Sequence, residues 1–448
     1  MTIRELPDIA KEIIDSAKAG EEIEVALSRG RSTTVNAYRG EVESLKSGSS
    51  QGVGIRVIID GCEGFASAGS LDPEIVLEVV NEARQNLTFA EKDPHQAIAI
   101  PDGVEPPGLD LFDRSVLDIS EKEKIAIAID LERRCLDRDK RITGVRASTW
   151  ADGWAEFALA STAGIAIHEE GGSCSVGVQP LAEESGETQI GYYGDVARRL
   201  ENLDLEKVVA EAVDGATSLL GATKPASQRV TVIFEPSVAA AFLGVVAGSL
   251  TGDRVAKGRS PFAERMGETI AVADLTLFDD PTDERSLGAE NYDGEGLATR
   301  RNDLIVSGSL NTFLHNSYTA RRLGVISTGS AVRGVRSRPG VGMHAMQILP
   351  GDRTREELIR NVRNGIFVRG VNGLHSGVNP VSGDFSVGAY GHRIVDGSLG
   401  EPFREATIAS TVQRMLLDIV EVGGDFEFLP GGTGMSSLVI AEIALSGS

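Results

Sequence analysis

The chain has 448 residues, enough for two domains or one elaborated domain, and its 41% hydrophobic share is ample for a core. Its formal net charge of -22 argues against nucleic acid as a partner, because an acidic surface repels phosphates. Frequent glycine (52) and sparse proline (16) point to many tight turns rather than disorder. The cysteines Cys62, Cys135 and Cys174 are widely spaced, odd in number and in no C-x-x-C pair, so reduced thiols in the cytoplasm are expected. Met1-Thr2-Ile3-Arg4-Glu5 lacks the pattern of a signal peptide, and no apolar run reaches membrane-spanning length.

Taken in order, Leu6 to Ala19 repeats apolar residues at helical spacing and stops at Gly20. An antiparallel meander follows. Ile23–Leu27 and Thr34–Tyr38 flank a predicted turn at Arg29-Gly30-Arg31, and Val42–Leu45 and Val53–Ile59 come next. Asp72-Pro73 opens a second helix, and Glu91 to Leu111 reads as a surface connection. Ser120 and Glu123 have capping-box spacing and open a third helix. Val145 to Val178 returns to strands, with turns predicted at Asp152-Gly153, Ala163-Gly164 and Gly171-Gly172. Leu203–Leu220 is a fourth helix, and Gly221–Ser227 is a hinge. The division is therefore placed between residues 1–225 and 226–448.

Beyond the hinge, Arg229–Phe234 is a strand feeding a helix that begins at Pro236, where a missing N–H costs nothing, with Ser237 as a local cap. Val238 to Leu250 is apolar nearly all round, so burial is expected. Gly244 and Gly248 leave one face of this helix bare, at a cost of roughly 1 kcal/mol each against alanine. Close packing of helix on sheet would explain them. The remainder is mainly β: Thr269–Thr276, Asp303–Ser307, Leu310–Leu314, Gly365–Val371 and Gly383–Ile394. Helices are predicted at Arg355–Asn364 and Thr411–Val422.

Local chemistry yields no catalytic set. His168-Glu169-Glu170 begins like a zinc helix, but no histidine follows at helical spacing and the next glycines favour a strand end and turn. Gly48-Ser49-Ser50-Gln51-Gly52 matches G-x-S-x-G, yet a strand follows where a nucleophile elbow needs a helix, so a hairpin loop is expected. Cys174 reads as a buried small residue. Asp293-Gly294-Glu295-Gly296 is too short for a calcium loop and reads as a turn. Gly383, Asp384 and Phe385, with His375 nearby, are candidates for lining a substrate cleft, a bulge or tight turn being the alternative.

The order of features is similar to the TldD/PmbA family of zinc-peptidase subunits. The pieces that carry the resemblance include Leu250-Thr251-Gly252-Asp253, Ser260-Pro261-Phe262, Tyr292-Asp293-Gly294-Glu295-Gly296 and Ser382-Gly383-Asp384-Phe385-Ser386. Arg39-Gly40-Glu41-Val42-Glu43 does so in the first half. The resemblance implies an α+β fold, with an N-terminal domain of mixed sheet and helices and a C-terminal domain built on a large curved, mainly antiparallel sheet. In the TldD kind of subunit, H-E-x-x-x-H and a distant cysteine hold zinc. Aligned on Gly252-Asp253, the histidine positions fall on Leu243 and Gly248, the glutamate on Gly244, and the cysteine near Thr433 or Gly434. None can bind zinc or move a proton in that role.

The resemblance therefore implies the PmbA (TldE) kind: no catalytic residue, no metal and no cofactor of its own, and zinc only in a TldD-type partner. Peptides or unfolded proteins would be the substrate, in the cytoplasm, without nucleic acid or membrane. Two alternatives stand beside it. One is a peptide-binding scaffold or homodimer. The other is an independent hydrolase using His375, Asp384 and His392.

Overall fold

Long uninterrupted strands organise the first half of the computed structural model, which describes residues 4–447. The reading of Met1–Ile3 lies outside the described residues. Helix α1 (Leu6–Asp15) precedes β1 (Glu22–Tyr38), β2 (Glu41–Ile59) and β3 (Cys62–Ala68). Then come α2 (Pro73–Asn86), α3 (Ser115–Asp118), α4 (Glu121–Arg138), β4 (Ile142–Ser161), β5 (Ala166–Glu184), β6 (Glu187–Ile190), β7 (Tyr193–Ala197) and α5 (Leu205–Thr217). The strands form one antiparallel sheet in the order β3-β2-β1-β4-β5-β6, with β7 also on β5.

Three predicted turns do not exist. Arg29-Gly30-Arg31 lies inside β1, Asp152-Gly153 inside β4 and Gly171-Gly172 inside β5. Two of these glycines, Gly30 and Gly172, answer to neighbours across space. A Cβ on Gly30 would stand 2.7 Å from the Trp154 carbonyl oxygen, and one on Gly172 would stand 2.8 Å from the Phe112 ring. The predicted turn at Ala163-Gly164 does join β4 to β5, with Gly164 at φ +97°. Glycine is right there because the chain must reverse through a left-handed conformation.

Alternation with period two then sorts the long strands. Val25 and Leu27 of β1 pack under α1 and α2, while Val35 and Ala37 of the same strand pack in the cluster that holds α4 and α5. Ala26 joins Leu159, Ile165 and Leu297 on the side facing the second half. The Glu91–Leu111 connection is irregular but not simply superficial. Ile98 and Ala99 are buried, and Leu109 exchanges two hydrogen bonds with the Asn291 side chain.

The second half runs β8 (Gln228–Phe234), α6 (Pro236–Ser249), α7 (Gly252–Ala256), β9 (Leu277–Asp279), β10 (Asn302–Val306) and β11 (Ser309–Leu310). It continues with α8 (Ser317–Leu323), β12 (Ala331–Val332), β13 (Gly340–Val341), β14 (Met346–Ile348), α9 (Arg355–Val362), β15 (Gly365–Asn372), α10 (Leu374–Gly377) and β16 (Asp384–Val395). It ends with β17 (Ser398–Thr411), α11 (Val412–Leu417), β18 (Ile419–Val422), β19 (Glu427–Phe428), β20 (Gly434–Met435) and β21 (Leu438–Ser446). The fold is α+β, as the resemblance implies.

The large curved sheet is mixed and closes on itself. Strands β17-β16-β15-β8-β21 form a ring because β17 also pairs with β21, and β15 runs parallel to β8. A second sheet, β11-β10-β9-β14-β20-β19, stands apart. Helix α6 shares one core with both. Phe242 meets Phe234 and Phe385 edge-on, with ring centroids 6.3 and 6.1 Å away. The predicted helix Thr411–Val422 is half helix and half strand, because Ile419 and Val422 pair with β21. Thr269–Thr276 forms no strand, only a single bridge from Thr269 to Ser309, and β11 stops at Leu310 rather than Leu314.

Candidate functional site

The bare face of α6 opens onto space rather than onto a sheet. A Cβ built on Gly244 or on Gly248 meets nothing within 4 Å, and both residues are exposed. Close packing is therefore not what these glycines serve. The helix is not buried all round either, although Leu243, beside them, is fully buried in the core. Pro236 occupies the first turn, but Ser237 caps nothing; its hydroxyl donates to the Glu235 carboxylate at 2.9 Å.

The space is a cleft of about 800 Å³. Gly244 and Gly248 line it, Asp253 and Arg254 of α7 with Lys257 just after it stand at one side, and the Gly340–His344 segment stands at another. Thr433 also lines it. Positions 244 and 248 on α6 and position 433, far along the chain, thus face one cleft. Leu243 does not. Adding a methyl group here should help. Gly244→Ala and Gly248→Ala are each expected to stabilise the protein, by up to about 1 kcal/mol, since helix propensity rises and no neighbour is displaced. Chemical denaturation of the single variants checks this, and a loss of stability would contradict an open face.

A second cleft, about 860 Å³, lies between the long sheet and the second half. Trp154, Gly172 and Arg198 line it from one side, and Glu290, Asp293 and Arg333 from the other. His344 borders both clefts. Its Nδ1 lies 3.0 Å from Glu290 Oε2, and its Nε2 is buried without a partner among the described residues. Burial pulls the imidazole pKa down, but the Glu290, Asp279 and Asp293 carboxylates outweigh it, so the net shift is upward.

The Asp293–Gly296 stretch is a turn, with Gly296 at φ +79°. Its carboxylates are spoken for by backbone. Asp293 accepts from the N–H groups of Glu295, Leu297 and Ala331 at 2.9–3.0 Å, and Glu295 accepts from Ser317 N–H at 2.8 Å. Burial, reinforced by Glu295, pushes the Asp293 carboxyl up to about 7, and burial also raises Glu295. Asp293 was singled out from sequence only within a turn and a family motif, and His344 and Glu290 were not singled out. Their only signal was membership of a histidine and acidic inventory.

Gly383, Asp384, Phe385 and His375 line neither of these clefts. Phe385 is core, Gly383 sits at φ +84° against Gln413, and Asp384 and His375 are exposed. His392 is at the other end of β16 from Asp384, eight residues along, or roughly 27 Å in an extended strand. Its Nε2–H donates to the Ser218 carbonyl at 3.1 Å. Ser49 lies mid-strand opposite Arg31, neither loop nor elbow. His168 lies within β5, not at its end, 3.1 Å from Glu156. Cys174 is buried, and desolvation pushes its thiol up to about 11.

Among the described residues, no group of three or more His, Cys, Asp and Glu side chains could hold a metal ion. At the aligned positions the cleft beside α6 offers two glycines and a threonine, and its whole lining holds one imidazole, His344, and one carboxylate, Asp253, which is paired with Lys257; this donor set does not fit a zinc site.

Family models described as PmbA/TldA metallopeptidase domain 1, central domain and C-terminal domain match residues 23–87, 114–220 and 227–447. A protein named Metalloprotease PmbA from Escherichia coli O157:H7 is 28% identical over 427 residues, spanning 95% of this chain and 92% of its own. A Metalloprotease PmbA homolog from Haemophilus influenzae is 26% identical across 97% of this chain and 94% of its own. The crystal structure of TldE from Thermococcus kodakarensis superposes with a TM-score of 0.88 at 25% identity, covering 99% of both chains.

Proposed function

The chain belongs to the PmbA/TldA metallopeptidase family, and on that premise we propose that it is the zinc-lacking, non-catalytic subunit of a peptidase complex. Its partner is a TldD-type chain carrying H-E-x-x-x-H, and the complex degrades peptides or unfolded proteins in the cytoplasm. The observation that carries this reading is the side-chain-free face at Gly244 and Gly248, open to a cleft that Thr433 also lines. A zinc peptidase needs ligands and a general base at such positions, to polarise the scissile carbonyl and activate water. Glycine supplies neither. No helix among the described residues is long and apolar enough to cross a membrane.

The independent-hydrolase alternative loses its basis, because Asp384 and His392 stand at opposite ends of β16. The test is to assay unstructured peptides with this chain alone, with a TldD-type chain from the same cell, and with both. Chelator-sensitive cleavage that needs the TldD-type chain, and is raised by adding this one, is expected. Cleavage by this chain alone would overturn the proposal.

A further inference from the structure

The cleft beside α6 is locally basic in a chain whose net charge is -22. Its lining includes Arg254, Lys257 and His344, against Asp253 as the only acidic residue. Lys257 is already paired, its Nζ 2.8 Å from Asp253 Oδ1. Arg254 is half-buried, and its guanidinium has no hydrogen bond or ion pair among the described residues. His344, with its side chain 4% exposed, keeps Nε2 without a partner. The buried ring nitrogen is costly while unmatched, and the part-exposed guanidinium, on the same cleft lining, is free to take a partner. The pairing chemistry open to a guanidinium is a bidentate carboxylate or phosphate. The cleft volume, about 800 Å³, suits a short peptide segment.

We propose that this cleft is a carboxylate-binding subsite in which Arg254, assisted by His344, holds a carboxylate of a bound peptide over the bare face of α6. The inference rests on the reading of the chain as a peptide-handling subunit and adds the group that is recognised. It also gives the glycines a purpose. With Gly244 and Gly248 carrying no side chains, peptide backbone can lie directly against the helix opposite Arg254. The carboxylate has two sources, a free C-terminus or an Asp or Glu side chain.

The test is isothermal titration of the full chain with three acetylated pentapeptides of alanine and leucine. One has a free C-terminal carboxylate, one is its C-terminal amide, and one is the amide with a central glutamate. The free acid is expected to bind about tenfold more tightly than the plain amide, the worth of a charge-assisted bidentate pair. Arg254→Gln should erase that preference while its melting curve matches the wild type, because Arg254 holds no structural partner. Tight binding of the glutamyl amide would assign the subsite to side-chain carboxylates, and weak binding to C-termini; either upholds it. Equal binding of all three peptides, or a carboxylate preference that survives Arg254→Gln, would overturn it. So would failure of all three to bind. None of these results bears on whether cleavage requires a TldD-type chain, so the two readings fail separately.

Discussion

Glu24→Ala is expected to destabilise the protein by about 3–5 kcal/mol, the largest loss foreseen for a single truncation. Glu24 is fully buried in β1. Its Oε1 accepts from Arg56 Nη1 of β2 at 3.0 Å and from Arg333 Nη1, which comes from the second half of the chain. Arg56 also approaches Glu63 at 3.4 Å, and Glu63 is 2.7 Å from Arg338 Nε. Burial alone would raise the Glu24 carboxyl, but the two guanidinium groups win and hold it below the usual carboxylate range. Removing Glu24 leaves Arg56 and Arg333, both almost inaccessible to water, facing each other without their shared counter-charge. Arg333→Ala should cost less, since Glu24 keeps Arg56. Urea denaturation of the two variants checks the order. Equal small losses would mean that the network contributes little beyond packing.

The second large effect comes from a single methyl group. A Cβ on Gly54, in β2, would lie 1.9 Å from the backbone oxygen of Val335. Val335 sits between Arg333 and Arg338, so relief of the clash must push away the segment that carries both. Gly54→Ala is therefore expected at or above the upper end of the usual overpacking cost, about 1–3 kcal/mol. It should also uncouple the two halves, seen as faster proteolysis between residues 221 and 227. Gly48→Ala in the same strand is the control, since a Cβ there meets nothing within 4 Å. Similar stability in the two variants would contradict the contact.

These two sites show where sequence reading stops. The alternation that identified strands at Ile23–Leu27 and Val53–Ile59 was legible, because each side chain's face follows from local periodicity. That Glu24 is buried was not, since its cover comes from a segment some three hundred residues later. Glycine was the commonest source of error. Gly30, Gly153, Gly171 and Gly172 resemble turn residues, yet they lie inside strands, and Gly30 and Gly172 stand beside backbone or a ring that a side chain would strike. Only Gly164, among the four places where a turn was predicted in the first half, marks a true reversal.

The same ambiguity ran the other way on α6. Its bare face could be read from Gly244 and Gly248, four apart, but not whether it met a sheet or open space. One aligned ligand position, Gly248, the aligned base position, Gly244, and the Thr433 alternative for the cysteine reached one cleft. Leu243 went to the core. The neighbours that give this cleft its chemistry, Arg254 and His344, had no motif to announce them. They are ninety residues apart and meet only through the fold.

The central claim is that this chain carries no zinc site of its own, and metal content tests it most directly. The chain should be produced alone in zinc-supplemented medium, purified without chelator and measured by inductively coupled plasma mass spectrometry. Zinc far below one ion per chain is predicted, beside a TldD-type chain that retains its metal through the same steps. One tightly held zinc per molecule of this chain, lost on mutation of residues lining the α6 cleft, would contradict the account.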